Sequence, residues 1–287
     1  MNKDPVKKLP RWHRIPKDEL FAAETYLRER EKFCVAASAR FLHLQNKRGH
    51  VWRLSGPEGN IFALLLHHHR TLFPVFEKNH SISCPHFLNR FLGKIPIHAV
   101  QGLREDTELL ENLMENSGYY AEERIDYDLM SIDTPPRQEA LKSGPADLIL
   151  RKPEAGDKES VYILQSAYEQ EEVLPKNAAF DPSVCRLNME HILSSERILL
   201  AELDGQIVGK INTSAVSFTR YQIGGVYVRP DCRGRGIAAR MTAVFIQNLL
   251  DSGRGITLFV KHRNNAARAA YLKVGLSTLA DYRISYY

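Results

Sequence analysis

Cysteine is scarce in this chain of 287 residues, and the four present form no C-x-x-C pair. Cys34, Cys84, Cys185 and Cys232 are too widely spaced to read as a disulfide framework or a zinc ribbon. No apolar run approaches the ~18 residues that a bilayer crossing requires. The first residues, MNKDPVKKLPRWHR, are charged and lead into no apolar segment. The sequence therefore predicts no secretory signal, no membrane span and a cytoplasmic location. Common nucleotide motifs are also missing, since neither G-x-G-x-x-G nor G-x-x-x-x-G-K-[ST] occurs.

Charge of one sign does not dominate either. Lys and Arg number 39 against 34 Asp and Glu, a net of +5, too little to indicate a nucleic-acid binder. Apolar residues make up 44% and charged residues 25%, ordinary values for a folded protein with a real core. The positive excess is uneven: residues 1–140 carry 20 basic and 19 acidic side chains, and residues 141–287 carry 19 and 15.

Breakers divide the chain. The stretch IDTPPRQEALKSGP (132–145) holds three prolines and reads as a linker. The expected organisation is an α/β domain over 1–135, a linker over 136–146 and a second domain over 147–287. In the first half, helical spacing predicts helices over 18–31 and 33–44, and a hairpin joins 50–54 to 60–66. A strand over 94–100, a turn at Gly102, a helix over 105–116 and a strand over 125–132 follow. In the second half the pattern predicts a strand over 148–151, helices over 159–172 and 182–195, and strands over 197–203 and 206–212. Asp204-Gly205 between those two strands is a type I′ hairpin signal. A strand over 221–228, a helix over 236–250, a strand over 256–261, a helix over 266–273 and a strand over 279–286 complete a mixed α/β (α+β) pattern with a mixed central sheet.

The stretch VRPDCRGRGIAARM (228–241) lies where that strand meets that helix. A helix N-terminus leaves about four backbone N–H groups unpaired, and its dipole favours an anion. Gly234 and Gly236 remove side chains, so a phosphate can approach those groups. Arg233 and Arg235 can add charge-assisted contacts. An Arg-Gly nucleic-acid tail would instead be repetitive and flanked by disorder, so no nucleic-acid partner is expected.

The pattern Arg233-x-x-Gly236-x-Ala238 resembles the acetyl-CoA loop of the GNAT N-acetyltransferases, R/Q-x-x-G-x-G/A. Three further stretches resemble that family in its order. GGVYVRP is similar to its fourth strand, LFVK (258–261) to its fifth, and Asn264-x-x-Ala267-x-x-x-Tyr271-x-x-x-Gly275-Leu276 to its N-x-x-A-x-x-x-Y-x-x-x-G-F signature, with Leu276 in place of Phe. The resemblance covers about residues 147–287. It implies that backbone N–H groups of Arg235, Gly236, Ile237 and Ala238, helped by Arg233 and Gly234, hold the pyrophosphate of acetyl-CoA. Val226, Tyr227 and Val228 would hold the pantetheine arm, with an N–H of that strand polarising the thioester carbonyl. Asn264 and Ala267 would hold the CoA arm, Asn264 serving equally as a helix cap. Tyr271 would protonate the departing thiolate, since a phenol near pKa ~10 is protonated at neutral pH.

The implied activity is direct transfer of an acetyl group to a primary amine. A longer acyl group and a non-catalytic acyl-CoA sensor stay open. The general base is not legible: Glu202, Tyr227, Glu171 and Glu172 are candidates, and water is another. The first half carries the same order of elements without the loop motif, and acidic Glu105 and Asp106 sit where a phosphate would lie. It resembles the degenerate N-terminal domains of two-part GNAT proteins and would wall the acceptor pocket. No metal site is expected. His67 and His68, adjacent on a strand, would face opposite ways, and Cys84, His86 and His80 suggest zinc only weakly. Cys232, beside Arg233, could be reactive.

Overall fold

The computed structural model describes residues 11–16, 19–46, 50–56, 58–78, 92 and 94–287. His80, Cys84 and His86, the weak zinc candidates, lie outside the described residues. The chain forms two compact units, Met1–Tyr127 with Asp281–Tyr287, and Asp128–Ala280.

In the first unit, β1 (Arg11–Arg14), α1 (Leu20–Arg30) and α2 (Val35–Asn46) precede β2 (His50–Ser55), β3 (Ile61–His68), β4 (Thr71–Phe76), β5 (Ala99–Leu103) and α3 (Arg104–Glu115). β6 (Glu123–Ile132) and β12 (Ser277–Tyr286) each contribute residues to both units. β1 to β4 form an antiparallel meander. β4 then pairs β5 in parallel at Thr71↔Ala99 and Leu72↔Val100, and β5 pairs antiparallel with residues 282–286 of β12. Leu54, Leu65, Phe76, Leu110 and Met114 anchor the core of this unit.

Two of these strands, β1 and β4, are not evident in the sequence. Pro74 argues against a strand in TLFPVF, because proline cannot donate to a ladder. Here the Glu77 N–H donates to Phe62 O on β3, so by alternation the Pro74 nitrogen faces away from β3. It faces the side where pairing to β5 ends at Leu72, and no ladder bond is lost. The strand expected over 94–100 begins only at Ala99 and contains Gly102, which lies against Pro74 rather than forming a turn: an added Cβ would stand 3.1 Å from Pro74 O.

The second unit places α4 (Gln138–Leu141), β7 (Ile149–Arg151), α5 (Lys158–Tyr168) and α6 (Pro182–Ser195) before β8 (Ile198–Leu203), β9 (Gln206–Val216) and β10 (Arg220–Val228). α7 (Ile237–Leu250), β11 (Gly255–Lys261) and α8 (Asn265–Val274) follow. Its strands run in the order β6-β11-β10-β9-β8-β7. The β8–β9 turn is the expected one, with Asp204 and Gly205 at φ 50° and 72°. Asp181 caps α6 by accepting from the Ser183 and Val184 N–H groups, with Pro182 at the first helical position. Leu200, Ile211, Ile237, Met241, Ile246 and Val274 are fully buried or nearly so. The 136–146 segment belongs to this unit, with the Arg137 N–H donating to Val274 O at 2.9 Å. The helix expected over 159–172 is α only to Tyr168; Glu169–Val173 is a π turn.

Both units contain, in chain order, two helices, an antiparallel meander, a parallel strand and a helix, and in the second unit α7 stands between the meander and the parallel strand. In the second unit the loop of interest follows β10, the first strand of its parallel pair. Glu105 and Asp106 open α3 after the second parallel strand, so they correspond to the α8 entrance and not to the phosphate position expected from the sequence. Asp106 nonetheless fills a gap. Beyond Leu72 and Val100, β4 and β5 separate, and Asp106 Oδ2 accepts the Phe76 N–H at 3.2 Å across the opening.

Burial raises the Asp106 carboxyl from 3.8 to about 7. A carboxyl raised on folding keeps its proton longer in the native state than in the unfolded chain, so stability falls as pH rises from about 4 to about 7. Asp106→Asn keeps an acceptor for Phe76 and removes the ionisation. We expect it to stabilise the protein at pH 8 by on the order of 2–4 kcal/mol, with no gain below pH ~4. Urea titrations at both pH values check this.

Candidate active site

The site is built where β10 leaves its neighbour. β10 pairs β11 in parallel from Arg220↔Gly255 to Ile223↔Leu258 and then parts from it. On its other edge, Gly224 lies opposite Asn212 and Tyr227 opposite Lys210, so Gly225 and Val226 together face one residue of β9. That is a β-bulge, which bends the strand. Gly225 permits it at φ 59°, where a Cβ would collide with Asn212 and approach Lys210 Nζ to 2.7 Å. The result is a wedge between β10 and β11, lined by the backbone of Val226, Tyr227 and Val228.

At the end of β10 the chain makes a turn at Pro230–Cys232 and enters α7 through Gly234 and Gly236, both left-handed at φ 77° and 82°. The first helical bond runs from the Arg240 N–H to Gly236 O, at 3.1 Å. Among the described residues, no backbone acceptor takes the N–H groups of Gly234, Arg235, Gly236, Ile237 or Ala238. Five donors without a backbone acceptor lie together at a helix N-terminus, an arrangement suited to a pyrophosphate. Ser143 and Gly144 back the loop: a Cβ on Gly236 would stand 2.9 Å from Gly144 N. Arg240 fixes the same segment by donating to Pro145 O at 3.0 Å.

The π turn supports these parts. Glu171 binds the Arg233 guanidinium through two bonds of 2.8 Å, and Arg233 Nε donates to Val228 O at 2.9 Å. Arg233 thus braces the loop against the strand, and its guanidinium does not point freely at a phosphate. Glu172 accepts from Asn264 Nδ2 at 2.9 Å and pairs with the buried Lys261 at 3.3 Å. Asn264 Oδ1 takes the Ala267 N–H at 3.0 Å, so the capping role expected for Asn264 is present. π turns concentrate at functional sites, and this one links the loop to the α8 entrance.

Comparison with known proteins assigns the greater part of the second unit. Residues 158–276 match the acetyltransferase (GNAT) family. This part of the chain is a GNAT domain. The whole chain is similar in fold to a GCN5-related N-acetyltransferase from Sphaerobacter thermophilus (19% identity, 98% of this chain and 96% of that one, TM-score 0.63). It is also similar to a tandem GNAT protein from the clavulanic acid biosynthesis pathway (10% identity, 96% and 97%, TM-score 0.59). A GNAT-family acetyltransferase from Colwellia psychrerythraea shares 8% identity over 96% of this chain and 100% of that one, at TM-score 0.55. No curated protein sequence matches. The family assignment makes acyl transfer the class of chemistry.

Within the GNAT domain, Tyr271 lies on α8 and is 6% exposed. Burial, with Tyr168 and Glu172 nearby, pushes its phenol well above the ordinary value. It stays protonated, as an acid for a thiolate must be. Among the described residues its hydroxyl has no protein partner. The candidates for general base fare differently. Glu202 lies on β8, one strand from the edge, and accepts from Arg151 at 2.6 Å, in a cluster with Asp157. Glu171 is engaged with Arg233 and its carboxyl is pushed down by that hydrogen bond. Tyr227 is buried, and burial together with Glu171 raises its phenol, so it is neutral. Cys232 is buried in the core rather than presented to solvent. Two further groups were not singled out from sequence. Tyr168 accepts the Gly225 N–H at 3.3 Å, and Lys210 Nζ donates to Gly225 O at 3.0 Å.

Proposed function

We propose that the protein is an acetyl-CoA-dependent N-acetyltransferase that passes the acetyl group directly to a primary amine. The observation that carries this reading is the conjunction of the β10–β11 wedge with five unpaired N–H groups at the start of α7. Acetyl-CoA fits such a site with its pyrophosphate on Gly234, Arg235, Gly236, Ile237 and Ala238, and its pantetheine arm along Val226, Tyr227 and Val228. Ala267 and Asn264 flank the arm at the α8 entrance. The thioester sulfur then lies near Tyr271: the amine attacks the carbonyl carbon, the C–S bond breaks, Tyr271 gives its proton to the leaving thiolate, and the proton lost by the amine nitrogen passes to water, from which Tyr271 is reprotonated. Glu172, partly exposed and paired with Lys261, is the carboxylate we propose to draw in a cationic amine. No described helix is long and apolar enough to cross a membrane. Our reading is of a cytoplasmic enzyme acting on a small-molecule or peptide amine.

Isothermal titration with acetyl-CoA is the first test, with saturable one-to-one binding expected. Thiol release is then followed over a panel of primary amines, with butyryl-CoA in parallel. Binding without release for any amine would favour a sensor over an enzyme. Faster turnover of butyryl-CoA would reassign the acyl group.

A further inference from the structure

Lys210 is fully buried in the middle of β9, with 0% exposure. Its Nζ donates to Gly225 O at 3.0 Å and to Asn212 Oδ1 at 3.1 Å, and it lies 4.8 Å from the centre of the Tyr168 ring. Glu169 on the π turn and the Cys185 thiol on α6 face it, and Glu169 favours its charged form. Glu169 is itself held by Gln165 and Asn188, at 2.8 and 3.1 Å. A buried charge is costly, and an apolar side chain of similar volume would often serve stability as well. What this charge contacts is the bulge of β10.

Gly225 has both polar groups taken by side chains, its N–H by Tyr168 and its carbonyl by Lys210. In a planar trans peptide the Gly225 carbonyl and the Val226 N–H point in opposite directions. With the carbonyl turned to Lys210, the Val226 N–H points away from it. On β10's other edge, pairing with β11 has already ended at Ile223. A cationic donor on the carbonyl also polarises the amide and strengthens its N–H as a donor.

We propose that Lys210 is a positioning residue for acyl transfer: it holds the Gly225 carbonyl, and thereby aims and polarises the Val226 N–H onto the oxygen of the bound thioester. This inference rests on the acyltransferase reading above. Lys210 does not touch the substrate. It acts through one peptide group, and the developing negative charge on the carbonyl oxygen is what that group stabilises. Burial draws the Lys210 ammonium down to about 7, with Glu169 opposing. The effect is therefore strongest below neutral pH and fades as pH rises through about 7.

The test uses the full chain with acetyl-CoA labelled with carbon-13 at the carbonyl, read by difference infrared spectroscopy. In wild type the bound carbonyl stretch is expected below that of free acetyl-CoA. Lys210→Met should return it most of the way while leaving the dissociation constant unchanged, and lower kcat roughly tenfold. A wild-type titration from pH 6 to 8.5 needs no variant. The shift should shrink as Lys210 loses its proton, and Glu169→Gln should move the midpoint lower. Cys185, raised to about 11, and Tyr168, raised by burial, stay neutral over that range. A shift that is flat with pH, or unchanged in Lys210→Met, overturns the inference and leaves the acyltransferase reading intact. Failure of wild type to bind acetyl-CoA overturns both.

Discussion

Gly236→Val is expected to weaken acetyl-CoA binding by roughly 10²–10³-fold while the protein remains folded. Two effects combine. Gly236 sits at φ 82°, a conformation that costs a branched side chain about 1–2 kcal/mol. A Cβ there would also stand 2.9 Å from the backbone nitrogen of Gly144, and backbone cannot swing aside as a side chain can. The loop must move, and its N–H groups lose their common aim. Each hydrogen bond to a charged phosphate contributes about 1.5–3 kcal/mol, so losing one or two accounts for the expected weakening. Calorimetric titration measures it. Gly253→Ala is the control, because Gly253 is also left-handed, at φ 72°, but meets nothing within 4 Å and lies outside the loop. It should lower the melting temperature without changing affinity. Equal binding by Gly236→Val and wild type would remove the loop from the cofactor site.

Much of this site is legible in the sequence because its parts obey local rules. A left-handed turn needs glycine, and Gly234 and Gly236 announce one between a strand and an amphipathic helix. Asn264, three residues before Ala267, announces a helix cap, and Asp204-Gly205 announces a hairpin. The parts that escape depend on partners far away in the chain. Lys210 reads as an ordinary solvent-facing residue of an alternating strand, and only the bulge fifteen residues later makes it a buried donor. Glu171 and Glu172 read as surface carboxylates closing a helix, because nothing local shows that the helix becomes a π turn with Arg233 and Asn264 beside it. β4 is hidden by Pro74, whose missing donor is harmless only because β5 has diverged. The sharing of β6 and β12 between units is likewise a matter of long-range pairing, which leaves no local periodicity to detect.

Tyr271→Phe gives the most direct test of the chemistry, and kcat is expected to fall by roughly 10²–10³-fold. The substitution is unusually clean. The ring is packed in the core with Val274 and Leu276, and phenylalanine retains that packing. The hydroxyl has no protein partner among the described residues, so its loss leaves no buried group unpaired. Stability and the KM for acetyl-CoA should therefore stay close to wild type, and the loss should fall on kcat. Because the phenol is pushed above its ordinary value, Tyr271 contributes no alkaline limb to the pH–rate profile up to pH ~10. The penalty should also depend on the leaving group. A thioester whose thiol is more acidic than that of CoA needs less help in departing, and wild type and Tyr271→Phe should converge on it. Stopped assays of thiol release with the two thioesters measure both effects. An unchanged kcat with acetyl-CoA would mean that the thiolate takes its proton from water, and Tyr271 would then be a core aromatic of α8 alone.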